Sequence, residues 1–291
     1  MSYHKSVLVE EVLQYLAPKK NCVYIDATFG GGGHTRAILD SEPTCNVIAF
    51  DWDKTALEMN GAPMQEEYPG RLRLIWGNFA SIAVQMHKNK IPPVDGVLAD
   101  FGTSQYQIFN QEGFSFSRNT LLDMRMSKAH YKTTAAGIVN RASERALAEI
   151  FWRYGQERHG RKIAAAICAV RVRKPLKTTG DLVDVIGQVI HGRSGRIHPA
   201  TRVFQALRIA VNHELDNIQT FLHHMPQTLV SGGRLVCISF HSLEDGIVKT
   251  FLREHRDSFL TLTSGVVIPT DEEIKLNSAS RSAKLRAAEK L

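Results

Sequence analysis

The run Val23-Tyr24-Ile25-Asp26-Ala27-Thr28-Phe29-Gly30-Gly31-Gly32-Gly33-His34 constrains this chain more than any other stretch. Apolar, β-branched and aromatic residues lead into an acid and then into four consecutive glycines. Thr35-Arg36-Ala37-Ile38-Leu39 follows as an amphipathic segment. The pattern predicts strand, tight loop and helix, the opening of a nucleotide-binding α/β unit. Glycines in such a loop permit positive φ and close approach of a ligand to the backbone. The dinucleotide pattern G-x-G-x-x-G, begun at Gly30, requires glycine at position 35, where the chain has Thr35. An ordinary αβ turn closed by glycines is the plain alternative.

The second strand tests the nucleotide reading. Asn46-Val47-Ile48-Ala49-Phe50 ends in Asp51-Trp52-Asp53. A nucleoside over the glycine loop needs a carboxylate at the tip of this strand to accept from both ribose hydroxyls. That acid is expected about 20 residues beyond the glycines, and Asp51 lies 21 positions after Gly30. Asp53 reads instead as the cap of a helix starting at Lys54. Asp26, Gly30 and Gly32 also fit D-x-x-x-G-x-G, a spacing that resembles motif I of methyltransferases using S-adenosylmethionine (SAM).

Further strands are expected at 71–76 and 94–100, the first ending in Gly77-Asn78-Phe79 and the second in Asp100. Phe79 is placed to pack on a base and Asn78 to bond its edge; a core phenylalanine is the equal alternative. The next buried strand is 234–240. Before it Val203, Leu207, Val211, Leu215, Ile218 and Leu222 recur at helical spacing, and Pro226 is expected to end that one long helix. Roughly 90 residues therefore intervene between Asp100 and that helix, too many for a structureless loop. Helices are predicted there at 143–154, 159–173 and 179–191. After strand five, Ser242 and Asp245 suit a cap for the next helix, a weak strand covers 259–268, and residues 277–291 read as a basic tail.

Charge separates the insert from the remainder. Residues 111–198 hold 16 Lys and Arg against 7 Asp and Glu, a net of +9, whereas the other residues hold 20 against 22, a net of −2. A solvated helical face is the plain reading. Concentration of the whole excess in one insert favours a nucleic-acid surface, with Arg158, Arg161, Lys162, Arg171, Arg173 and Lys174 facing phosphates. No apolar run reaches membrane-spanning length, and no secretory signal follows Met1, so a cytoplasmic protein without membrane attachment is expected. Cys22, Cys45, Cys168 and Cys237 are far apart and read as reduced thiols; without clustered ligands no metal is expected.

These segments together resemble the bacterial small-subunit (16S) ribosomal RNA cytosine-N4 methyltransferases (RsmH, also called MraW) over nearly the full length. The resemblance rests on Ala27-Thr28-Phe29-Gly30-Gly31-Gly32-Gly33-His34, Gly113-Phe114-Ser115-Phe116, Leu122-Asp123-Met124-Arg125-Met126, Tyr154-Gly155-Gln156-Glu157-Arg158, His198-Pro199-Ala200-Thr201-Arg202 and Ser239-Phe240-His241-Ser242-Leu243-Glu244-Asp245. It implies an α/β fold, a Rossmann-like class I SAM-dependent methyltransferase sheet carrying an inserted, mainly helical domain. The SAM-binding domain is expected at 1–110 and 199–291, and the RNA-recognition insert at 111–198. The resemblance further implies SAM contacts from Gly32, Gly33, His34, Asp51, Phe79, Asp100 and Gln107. Of these, the residues themselves had pointed to the glycine loop, Asp51 and Phe79. Asp100 is the candidate catalytic residue, acting on the amine, on the amino-acid end of SAM, or on both. The implied reaction is methylation of the exocyclic N4 of a cytidine in small-subunit rRNA, as naked RNA or as a particle; a homodimer is left open. Gln105, Asn110 and Leu121 depart from the family pattern around the acceptor side. A DNA amino-methyltransferase and a ribosome-assembly factor without turnover are the competing readings. Thr35 argues against a nicotinamide dehydrogenase.

Overall fold

The computed structural model describes residues 6–103, 108, 111–190 and 198–291. The chain forms two compact units, Met1–Ser104 with Leu215–Leu291, and Gln105–Glu214.

The first unit is built on a seven-stranded sheet in the order β3-β2-β1-β4-β5-β7-β6. Its strands are β1 (Val23–Asp26), β2 (Asn46–Asp51), β3 (Leu72–Trp76), β4 (Val94–Asp100), β5 (Leu229–Ser239), β6 (Phe259–Thr261) and β7 (Lys284–Lys290). β1 to β5 run parallel, and β7 pairs antiparallel with both β5 and β6. The order reverses between β1 and β4, so the carboxyl ends of these two strands flank the switch point where ligands of open α/β sheets bind. This is the class I methyltransferase sheet.

Alternation along each strand builds a core on either face. Ile25, Phe50, Val97 and Ala99 face one core with Phe221, Leu222 and Phe251. Tyr24, Val47, Ala49 and Leu98 face the other with Val12, Leu16, Ile38 and Leu39. The second unit has its own core, in which Leu147, Phe151, Ile163, Ile167, Leu182, Ile186 and Leu207 are all buried. Its helices are Ala135–Arg141, Glu144–Gly155, Gly160–Arg171, Thr179–Val189 and Ala200–Asn212. Gly155 is required where helices meet: a Cβ there would lie 2.5 Å from the Arg202 carbonyl oxygen.

Five expectations are corrected. The long helix at 203–222 is two helices, because His213 adopts φ 51°, a left-handed cap that ends Ala200–Asn212 before Glu214–Thr228 begins. The first of these packs with the insert, so the insert extends to Glu214 rather than ending at 198. Pro226 lies inside the second helix, not beyond it. The basic tail is β7, a strand of the sheet: Arg286 is paired with Asp245 at 2.6 Å, and Lys290 Nζ donates to the Pro226 and Leu229 carbonyls at 2.6 and 2.7 Å. Those cations close the helix before β5 and tie the sheet to the helix after it. Finally, the cap of helix Ser242–Glu254 is one residue earlier than expected, His241 with Glu244.

Candidate functional site

The glycine loop leaves β1 with Gly30 at φ 52° and Gly32 at φ 76°, left-handed conformations that favour glycine. A Cβ on Gly32 would also meet Met64 Cε at 2.6 Å and Phe29 Cζ at 2.8 Å, and one on Gly33 would collide with Ser6 Oγ. Gly32→Ala is therefore expected to cost about 1–3 kcal/mol of stability, read as a lower denaturation midpoint. An unchanged midpoint would show that the loop tolerates a side chain. Gly33 begins the helix Gly33–Ser41, so unpaired backbone N–H groups point from the loop toward any anion placed there.

Asp26 supports the loop rather than lining it. It is fully buried, and accepts from Thr28 N–H at 3.1 Å and Thr35 Oγ at 2.7 Å. Thr35, the residue that breaks the dinucleotide pattern, thus supplies the hydroxyl that satisfies a buried carboxyl.

Asp51 stands at the tip of β2. One oxygen accepts from Gly30 N–H at 2.7 Å and the other from Asp53 N–H at 2.8 Å. Each oxygen keeps a second acceptor site, which suits two vicinal hydroxyls. Loss of solvation pushes the Asp51 carboxyl up to about 7, against the pull of those two N–H groups. Asp53 caps the following helix through Thr55 N–H at 3.0 Å, as its position predicted. Asn60 was not singled out from sequence. It sits in a π-helical turn, Leu57–Gly61, and its Nδ2 donates to the Gly30 carbonyl at 3.2 Å. A one-residue helix bulge gives no sequence signal that would have found it.

Asp100 ends β4. Its N–H donates to Thr28 Oγ1 at 2.7 Å, which ties the ends of β4 and β1 together across the switch point. Its Oδ2 lies 3.8 Å from His34 Nδ1. Among the described residues its Oδ1 is buried without a hydrogen-bond partner, a costly state that a bound donor would relieve. Desolvation pushes this carboxyl up to about 7; His34 opposes the rise, and Asp26 and Glu244 add to it. The other ring nitrogen of His34, Nε2, is 2.8 Å from the Val7 carbonyl, an acceptor, so Nε2 carries the proton and Nδ1 is turned to Asp100. Glu244, buried, accepts from Phe240 N–H at 2.7 Å and from His241 N–H at 3.2 Å.

Gly32, Gly33, His34, Asp51 and Asp100 thus gather at the carboxyl edge of β1, β2 and β4. Phe79 opens a short 3-10 turn after β3, and its ring packs on Phe101 at 5.7 Å and Phe221 at 5.5 Å. It is half-buried, so one part of the ring belongs to the core and the remainder to the surface. Asn78 uses its side-chain oxygen to accept from Ala80 N–H at 2.9 Å. Gln107 falls outside the described residues, as do Gln105 and Asn110.

In the second unit Arg158, Arg161, Lys162 and Arg173 are exposed. Two of the six expected phosphate contacts are engaged within the unit instead. Arg171 donates to the Val139 carbonyl at 2.7 Å, and Lys174 pairs with Asp181 at 2.9 Å. No helix among the described residues is long and apolar enough to cross a membrane.

The sequence model of the MraW methylase family matches residues 1–291. The chain is 45% identical to a protein of Bradyrhizobium diazoefficiens named ribosomal RNA small subunit methyltransferase H, over 99% of this chain and 91% of that one. It is 45% identical to a protein of the same name from Coprothermobacter proteolyticus, over 99% and 96%, and 46% identical to one from Nostoc punctiforme, over 99% and 94%. Among solved structures it is similar to a putative methyltransferase from Streptococcus mutans in complex with SAH, at 15% identity and TM-score 0.48, over 99% of this chain and 100% of that one. With the family matched over its whole length, and the glycine loop, Asp51 and Asp100 at one sheet edge, the chain belongs to the MraW methylase family and is a methyltransferase.

Proposed function

We propose that this enzyme transfers a methyl group from SAM to the exocyclic N4 of a cytidine in small-subunit (16S) ribosomal RNA, in the cytoplasm. The observation that carries the reading is Asp100, a carboxylate with a buried, unpartnered oxygen at the switch-point edge beside a glycine loop and a second carboxylate. The names of the relatives supply the RNA class.

The residues suit SAM. The backbone N–H groups of the glycine loop and of the helix N-terminus fit an anionic group, and Asp51 fits the ribose. The unpartnered Oδ1 of Asp100 fits an ammonium or amine donor. Bound SAM supplies an electrophilic methyl carbon on a sulfonium. The difficult partner is the cytosine amine, whose lone pair is delocalised into the ring. Accepting a hydrogen bond from that amine localises the lone pair, and fixing the nitrogen in line removes the entropic part of the barrier. Asp100 is the acceptor we assign to that work. His34, held by the Val7 carbonyl, places its Nδ1 3.8 Å from the Asp100 carboxyl. The base must leave its stack to reach this edge.

Nucleoside mass spectrometry of ribosomal RNA from cells with and without the protein tests the function. N4-methylcytidine lost with the protein supports it; an unchanged nucleoside profile refutes it. Asp51→Ala is expected to weaken SAM binding by roughly 1–3 kcal/mol through lost ribose hydrogen bonds. Calorimetry on the folded variant decides, and unaltered affinity rejects the Asp51 assignment.

The inserted unit is proposed to grip the RNA. Gln105–Glu214 holds 18 Lys and Arg against 8 Asp and Glu. Arg158→Glu with Arg161→Glu is expected to weaken RNA binding and to lower the slope of log affinity against log salt by roughly 2, with SAM affinity unchanged. Filter binding across a salt series measures it, and a wild-type slope would make these residues a solvated face. Arg171 and Lys174 are poorer targets, given their partners.

A further inference from the structure

The second unit contains an open groove of about 1000 Å³ between the helices Glu144–Gly155 and Gly160–Arg171. Trp152 lines it with 67% of its surface exposed. A tryptophan left this open has given up much of the free energy its burial would supply, so its ring is available to a partner. Arg145, Arg158 and Arg161 line the same groove and are exposed. Among the described residues none of these three guanidinium groups is held in an ion pair or a side-chain hydrogen bond.

Three carboxylates also line the groove, and their positions weigh differently. Glu144 occupies the first turn of its helix, where it complements the helix dipole. Glu157 is buried, and accepts from His159 N–H at 2.8 Å just ahead of the next helix. Both are used by helix N-termini. Glu149 alone remains exposed without such a role. An acidic or purely apolar partner would leave three guanidinium groups and an aromatic face poorly matched. A polyanion with planar rings matches both features at once, and the unit as a whole carries the positive excess.

We propose that this groove is a docking site for an unpaired RNA segment, with a base stacked on Trp152 and flanking phosphates held by Arg145, Arg158 and Arg161. A volume of this size accommodates a ligand as large as a nucleotide. Stacking accepts any base, because every base offers a π-face. The site therefore secures single-stranded substrate without reading its sequence, and selection of the target cytidine is left to the sheet edge of the other unit. This rests on the reading of the protein as an RNA methyltransferase and adds a location and a strand preference to it.

The test uses the full chain and oligoadenylate of about ten nucleotides, within the range such sites cover. Trp152 emission, taken as the wild-type signal minus that of Trp152→Phe, is expected to be quenched by the single strand and far less by a duplex of equal length. Trp152→Ala is expected to bind the single strand roughly tenfold more weakly, with the salt slope unchanged, because no charge is lost. Trp152→Phe should recover most of the affinity. Wild-type affinity in Trp152→Ala, equal quenching by the duplex, or a Trp152 signal that depends on protein concentration alone would each overturn the proposal, the last in favour of self-association. Methylation of small-subunit RNA by the wild-type protein, measured in parallel, reports separately on the reading beneath it.

Discussion

Asp100→Asn is expected to lower the single-turnover rate of methyl transfer by roughly 100-fold or more while leaving the fold intact. The argument is local. The backbone N–H of Asp100 donates to Thr28 Oγ1, so the position of the residue does not depend on its carboxylate. The side chain has one oxygen facing His34 Nδ1 and one buried without a partner among the described residues. Asparagine keeps the volume and removes the charge that an attacking amine, becoming positive as it bonds to the methyl carbon, must meet. Rapid-quench measurement with saturating SAM and RNA isolates the chemical step. A near-normal rate would leave Asp100 a structural residue at the end of β4, and the acceptor would have to be sought elsewhere on the sheet edge.

SAM binding should strengthen steeply as pH rises through about 7. Both Asp51 and Asp100 are pushed up to about 7, each chiefly by desolvation. Among the described residues, the charges acting on Asp51 are those of Asp53 and Asp26, and those acting on Asp100 are His34, Asp26 and Glu244. Each aspartate offers the ligand a charge-assisted acceptor only when ionised, and below about 7 each loses tenfold in ionised fraction per pH unit. Between pH 8 and pH 6 the affinity should fall by roughly 100-fold if both contacts are made. The sign for the free protein is opposite. A carboxyl whose folded value is raised above its ordinary 3.8 binds its proton more tightly when folded. It therefore favours folding at low pH, and that contribution is lost as pH rises from about 4 to about 7. The free protein should become less stable across this window while SAM restores more. Calorimetry and thermal unfolding at matched ionic strength measure the two trends. A flat affinity profile would show that neither carboxylate takes part in binding.

How much of this was legible in the chain follows from what each residue depends on. The place of Asp51 at the tip of β2 was legible because its distance from the glycines is set by one βαβ unit, a local length. Asp53 was found as a cap because capping is local too. The end of Ala200–Asn212 was missed because His213 is not a residue that announces a left-handed turn. Lys284–Lys290 was missed because a strand paired to β5 and β6 needs no apolar run: Leu285, Ala287 and Ala288 suffice for the core, and its charged residues find distant partners. The same holds for Arg171 and Lys174, whose partners Val139 and Asp181 are brought near by folding. Asn60 and the unpartnered oxygen of Asp100 are likewise products of tertiary placement. The second-unit core was readable because its helices carry plain amphipathic periods.

The position of β7 has a consequence for how the protein is made. Although it follows β6 along the chain, it lies between β5 and β6 in the sheet. Until residues 284–290 leave the ribosome, β6 has no neighbour and β5 has one open side. By then Gln105–Glu214, with a core of its own, has already been synthesised in full. Synthesis from the N-terminus therefore lets the inserted unit consolidate first, while the catalytic sheet waits with an exposed edge for its last strand. The sheet is finished only once residues 284–290 have been made, so a chain terminated before them would retain the basic unit without a finished sheet.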